Sequence, residues 1–125
     1  METLNALEEH LKDRPLAMQN CLSNCRECHQ ICSLLIEHCL NLGGKHAEPD
    51  HIKMLMDCAQ ICQTAADFMI RNSDFHAGIC DECAIICDAC ADDCEALDPE
   101  DAMMKACIEV CRVCATSCEQ MTTMQ

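Results

Sequence analysis

Sixteen cysteines in 125 residues give this chain its chemistry, and their spacing is regular. Cys21, Cys25, Cys28 and Cys32 form one run; Cys80, Cys83, Cys87, Cys90 and Cys94 a second; Cys107, Cys111, Cys114 and Cys118 a third. Cys39 stands one heptad past Cys32, and Cys58 and Cys62 are a separate pair. Steps of three and four trace one face of an α-helix, so each run is a stripe of sulfur. C-x3-C pairs such as Cys21/Cys25 and Cys83/Cys87 let two thiolates converge on one ion, which suits the soft ion Cu(I). Zinc instead asks for four ligands in a tetrahedron. The intervening C-x2-C steps keep the stripes continuous, so one sulfur can serve successive ions. Two sulfurs per ion and two ions per sulfur set a ceiling of about sixteen Cu(I) ions per chain. One Cu(I) per thiolate also leaves a filled core neutral and avoids the cost of burying charge.

Other uses of so much cysteine fit less well. A cysteine share above roughly 10% ordinarily signals a disulfide scaffold in a short secreted chain. Here METLNALEEHLKDRP has no apolar run that would mark an export signal, so a cytoplasmic, thiol-reducing location is expected. Helical neighbours three or four apart also hold their Cβ atoms about 5–6 Å apart, wider than the roughly 4 Å of a disulfide. The bacterial iron–sulfur run C-x2-C-x2-C-x3-C is absent, the spacing from Cys21 being C-x3-C-x2-C-x3-C. Two alternatives stay open: a zinc or general thiolate buffer, and a metal-free bundle using cysteine as a small hydrophobe.

The stripes need long helices to carry them. A short amphipathic helix over about 3–13, with Leu4, Leu7 and Leu11, should end before Pro15. Four long helices follow over about 16–42, 49–71, 74–96 and 99–121. Gly43 and Gly44 stop the first, Pro49 suits the first turn of the second, Ser73 is a cap for the third, and Asp98-Pro99 a cap and first-turn pair for the fourth. Short connections predict an all-α, antiparallel up-down-up-down four-helix bundle in a single domain, 1–125. With Phe68 and Phe75 the only aromatics, cysteine and methionine must fill the core.

The net charge is −14, and the stretch from Asp74 to Asp101 contains no Lys or Arg. Such a surface repels phosphate backbones and anionic lipid, so neither nucleic acid nor membrane is an expected partner. No segment reaches the roughly 20 apolar residues of a membrane span. No Ser/His/Asp grouping, phosphate loop or carboxylate pair suggests an enzyme. At the bundle ends, Met18, Met69, Met121 and His76 should cluster at one mouth. His51, Met54 and Met104, with His38 and His46 near them, should cluster at the other. His51, His76, Met54 and Met104 are the candidate end-site ligands beside the sixteen cysteines, while His10 and His29 read as surface residues.

The segment CAQICQTAADFMIRNSDFHAGICDECAIICDACADDCE, Cys58 to Glu95, resembles the cytosolic copper storage proteins, and the cysteine pattern extends the likeness from Cys21 to Cys118. The resemblance implies a four-helix bundle storing multiple Cu(I) ions on thiolates along its axis, commonly as a homotetramer, in copper homeostasis and detoxification. Leu35, Leu55 and Ala65 stand where further sulfur could, which thins the ladder on the first and second long helices.

Overall fold

A computed structural model of the chain describes residues 2–122, and among these every regular element is helical. α1 spans Glu2–Lys12, α2 Leu16–Leu42, α3 Pro49–Ile70, α4 His76–Leu97 and α5 Ala102–Met121, with a single 3-10 turn, Gly44–Ala47, between α2 and α3. The four long helices pack around a square in which α2 touches α3 and α5, and α4 touches α3 and α5. Contacts along α2 and α5 run in opposite senses. Cys21 meets Cys118, Cys28 meets Cys111, Cys32 meets Cys107 and Cys39 meets Met104.

The periodicity that predicts these helices also fills their core. Met18, all sixteen cysteines, Leu35, Leu55, Met69, Met104 and Met121 form one continuous buried cluster. Around it Ala59, Ala66, Ala84, Ala91 and Ala115 are small enough to bring neighbouring helices close, and half-buried Ile31, Ile61, Ile86 and Ile108 close the seams. The core is built of soft, polarizable sulfur where aromatic rings would otherwise stand.

The helix ends show where sequence signals lead and mislead. Gly43 ends α2 with φ 71°, and its N–H bonds to the Cys39 carbonyl, a left-handed geometry that suits glycine. Asn72, at φ 53°, ends α3. Its N–H bonds to the Met69 carbonyl, while the Ser73 N–H bonds to that of Phe68, the paired closure of a Schellman motif. Pro49 opens α3 as predicted.

Two caps differ from expectation. The Ser73 hydroxyl accepts from Phe75 N and shapes the turn, so α4 starts at His76. Asp98 is likewise spent in its turn, accepting from Glu100 N and facing His46. The cap of α5 is Asp101, whose Oδ2 accepts from Met103 N and Met104 N at 3.0 Å each. Pro99 therefore lies in the connection.

Candidate metal centre

Sulfurs from all four long helices meet in one shared core. All sixteen cysteines are free and wholly buried. Counted from the Met18 end, Cys21, Cys80 and Cys118 come within mutual reach of one ion. Next come Cys25/Cys83/Cys114/Cys118, Cys28/Cys62/Cys87/Cys114, Cys28/Cys32/Cys58/Cys111 and Cys32/Cys90/Cys107/Cys111. Cys28, Cys32, Cys111, Cys114 and Cys118 each belong to two of these groups. The arrangement is a continuous mesh of sulfurs that share neighbours, rather than a row of isolated sites.

Most close sulfur pairs join different helices. Cys25 and Cys118 are 3.6 Å apart, Cys62 and Cys87 3.6 Å, Cys28 and Cys111 3.6 Å, and Cys28 and Cys58 3.8 Å. Of the C-x3-C pairs, Cys83/Cys87 at 3.8 Å and Cys107/Cys111 at 3.7 Å are in sulfur contact. Sequence spacing points to partners one turn along the same helix; packing adds partners on two or three other helices.

Buried thiols in contact share protons. Hydrogen bonding with neighbouring sulfurs, chiefly Cys111 for Cys58 and chiefly Cys118 for Cys114, drives both toward the thiolate. Cys32 and Cys62 are driven the other way, chiefly by their bonds to Cys107 and Cys114. A hydrogen bond with Cys107, reinforced by burial, pushes Cys94 up to about 12. Burial, aided by the charges of Cys94 and Asp101, pushes Cys39 up to about 11.

Beyond Leu35 and Leu55 the tube changes character. Cys39 Sγ lies 3.3 Å from His51 Nε2 and 3.8 Å from Met104 Sδ, which gathers a thiol, an imidazole and a thioether. His51 is buried, and its Nδ1 lies 2.6 Å from Asp93 Oδ2. An ionised carboxylate only accepts, so Nδ1 carries the proton and the Nε2 lone pair faces Cys39. A carboxylate that orients an imidazole in this way is the usual support of a metal-ligating histidine.

Outside this end, His38 Nε2 meets Asp101 at 3.0 Å, His46 Nε2 meets Asp98 at 2.9 Å and Lys45 Nζ donates to the Leu97 carbonyl. These bonds tie the end of α2 and the 3-10 turn to the α4–α5 connection. The imidazole of His46 is the first cause holding Asp98 below the usual carboxylate range; for Asp101 it is the Met104 N–H.

Of the four end-site candidates, His51 and Met104 are brought together on Cys39. Met54 is half-buried against the core cluster. His76, at the opposite end, turns its Nδ1 to the Ser73 carbonyl at 2.9 Å. His10 is exposed as expected. His29 is not a plain surface residue, because its Nδ1 lies 2.9 Å from the Ala59 carbonyl and ties α2 to α3. Asp93 escapes a sequence reading: its partner lies 42 residues away, and it looks like one of many acids beside Cys94.

No helix of the described residues is long and apolar enough to cross a membrane. The chain is similar to a protein of Nitrosospira multiformis at 41% identity, covering 87% of this chain and 97% of that one with a TM-score of 0.80. It is similar at 30% identity to the Cu(I)-bound form of Csp3, named copper storage protein 3 from Bacillus subtilis in its apo form, covering 86% and 99% with a TM-score of 0.79. A third likeness, at 28% identity, is to the copper storage protein Ccsp of Streptomyces lividans loaded with 10 copper equivalents, covering 85% and 83% with a TM-score of 0.73. A search of the curated proteins gives no match. The sequence profile of the copper storage proteins matches residues 15–123; the chain belongs to the copper storage protein family.

Proposed function

We propose that this chain stores multiple Cu(I) ions on the thiolates of its core, holding copper out of solution rather than turning over a substrate. The observation that carries this reading is the sharing of sulfurs. Closed four-coordinate zinc sites would each claim a whole quartet, yet neighbouring quartets overlap at Cys28, Cys32, Cys111 and Cys114, so they cannot all be filled. Cu(I), content with fewer thiolates, can follow the mesh from ion to ion. All sixteen cysteines serve as ligands, and Cys39, His51 and Met104 form an end site in which Asp93 positions the imidazole. Met54 stands beside that end as a further thioether.

The antiparallel contacts support an up-down-up-down bundle acting as one domain. The Streptomyces lividans relative is described as cytosolic, which supports a cytoplasmic location here, and the family resemblance supports a homotetramer. Anaerobic Cu(I) titration of the reduced protein against a competing chelator should saturate well above about ten ions per chain. Saturation at about four or fewer, or tighter retention of zinc than of Cu(I), would overturn the reading. Light scattering of the loaded protein tests the tetramer.

A further inference from the structure

The Cys39 end of the tube is covered. Cys39 and Met104 are wholly buried and His51 is 3% exposed, so solvent does not reach the three groups gathered there. Two connections stand over this end: residues 43–48 join α2 to α3, and residues 98–101 join α4 to α5. Because α2 packs on α3 and α5, and α4 packs on the same two, these connections lie on opposite edges of the square. A bond between them therefore spans the mouth. Two bonds do so, His46 Nε2 to Asp98 Oδ2 at 2.9 Å and Lys45 Nζ to the Leu97 carbonyl at 3.0 Å. The His38–Asp101 bond is different, since it joins α2 to the start of α5 along one edge.

Little besides these two bonds holds the first connection down. None of the residues in Gly44–Ala47 is fully buried. Among the described residues the backbone bonds of 43–48 run only within the segment, back to Cys39 and on to Ile52. The segment leaves α2 through Gly43 and Gly44, at φ 71° and 56°, and a Cβ added at either would meet nothing within 4 Å. These glycines serve the backbone rather than the packing, since other residues rarely adopt that conformation. A segment with no fully buried side chain and with water-facing bonds opens locally at low cost. The opposite end is closed by buried Met18, Met69 and Met121, and by the Arg14 guanidinium donating to the Ile70 carbonyl at 2.9 Å. Opening that end brings apolar side chains into water, whereas releasing the strap exchanges two polar bonds for bonds to water.

We propose that Gly44–Ala47 is a hinged lid, latched across the mouth by His46 on Asp98 and by Lys45 on the Leu97 carbonyl, whose opening admits Cu(I) to the Cys39 end. The proposal rests on the storage reading and adds a control of rate to it. The latch leaves capacity alone, because His46 Nε2 and Lys45 Nζ are both spent on oxygens. With opening and closing faster than binding, the observed uptake rate is the intrinsic rate multiplied by the open fraction. Lys45→Ala/His46→Ala removes both bonds and should raise that fraction about tenfold, the factor expected for two bonds between partly exposed groups.

The test is the initial rate of Cu(I) uptake by reduced, metal-free protein, mixed anaerobically with a coloured Cu(I)–chelator complex in a stopped-flow spectrophotometer. Native mass spectrometry counts the ions at saturation, and circular dichroism checks helicity. The double variant should take up its first ions about tenfold faster than the parent chain and reach the same total. Its backbone amides at 44–47 should also exchange hydrogen faster. Arg14→Ala, which loosens the opposite end, should leave the uptake rate unchanged. Equal rates in the parent and the double variant overturn the lid. Faster uptake in Arg14→Ala but not in the double variant also overturns it, by placing the entrance at the Met18 end. A double variant that loses several ions of capacity makes Lys45 and His46 part of the store and not a latch. Failure of the storage reading itself would appear instead as a low Cu(I) stoichiometry in the parent chain.

Discussion

Whether the thiols share ions can be read from what their removal costs. Cys28 and Cys58 face each other at 3.8 Å in the middle of the tube, and Cys28 also touches Cys111 and Cys87 at 3.6 and 4.0 Å. Consider the double substitution Cys28→Ala/Cys58→Ala. If every sulfur bridges two ions and every ion takes two sulfurs, capacity follows the cysteine count and falls by about two ions. If each ion instead sits on its own pair, the same change removes about one ion from a total near eight. Each truncation removes one buried heavy atom, at about 1 kcal/mol apiece, so about 2 kcal/mol is lost from a domain that commonly has about 5–15. The variant should fold, which circular dichroism checks. Its Cu(I) content is then counted by anaerobic titration and native mass spectrometry against the parent chain. A loss of one ion, or an unchanged capacity, would refute a shared-sulfur mesh.

Other expectations follow from the same geometry. Metal-free protein should lose stability as pH rises from about 9 toward 11. Cys39 is raised from 9.0 to about 11, so over that window the unfolded chain has released its proton while the folded chain keeps it. Stability is full below 9 and falls by about 3 kcal/mol per such thiol. Denaturant midpoints against pH measure the slope, and copper-loaded protein, whose thiolates are already deprotonated, should not show it. Asp101→Ala removes a cap serving two N–H groups and the partner of His38; urea unfolding should register a loss of about 1 kcal/mol. His51→Ala should cost about one ion at the Cys39 end and leave the rest of the capacity intact, whereas a loss of several ions by mass spectrometry would contradict a terminal role.

The helices and their inner faces were legible because a stripe at steps of three and four survives any tertiary arrangement, and Gly43 and Pro49 mark boundaries through backbone geometry alone. Ser73 and Asp98 misled because a short polar side chain beside a connection can cap the helix or build the turn before it, and only the chain's path decides which. His51 and Met104 were placed at one mouth by counting turns along antiparallel helices. Their meeting on Cys39, the hold of Asp93 on His51 and the reach of His29 to α3 depend on the rotation of each helix about its axis. That rotation is set by packing over alanines and isoleucines, which carry no chemical signal of their own. Sulfur neighbours on other helices stay hidden for the same reason, since a sequence displays spacing within a helix and hides register between helices.

The sulfur contacts that cross between helices also tie the chain's durability to its load. Cys28 alone touches α3, α4 and α5, so an ion on such sulfurs fastens together segments far apart in sequence. An unfolded chain scatters those sulfurs, and each ion held only by the folded form adds to the free energy of unfolding. A full bundle is stapled along its length and opens rarely. An empty one is held by soft packing among thiols and opens more often to proteases. The lifetime of each molecule thereby becomes a record of the copper it carries.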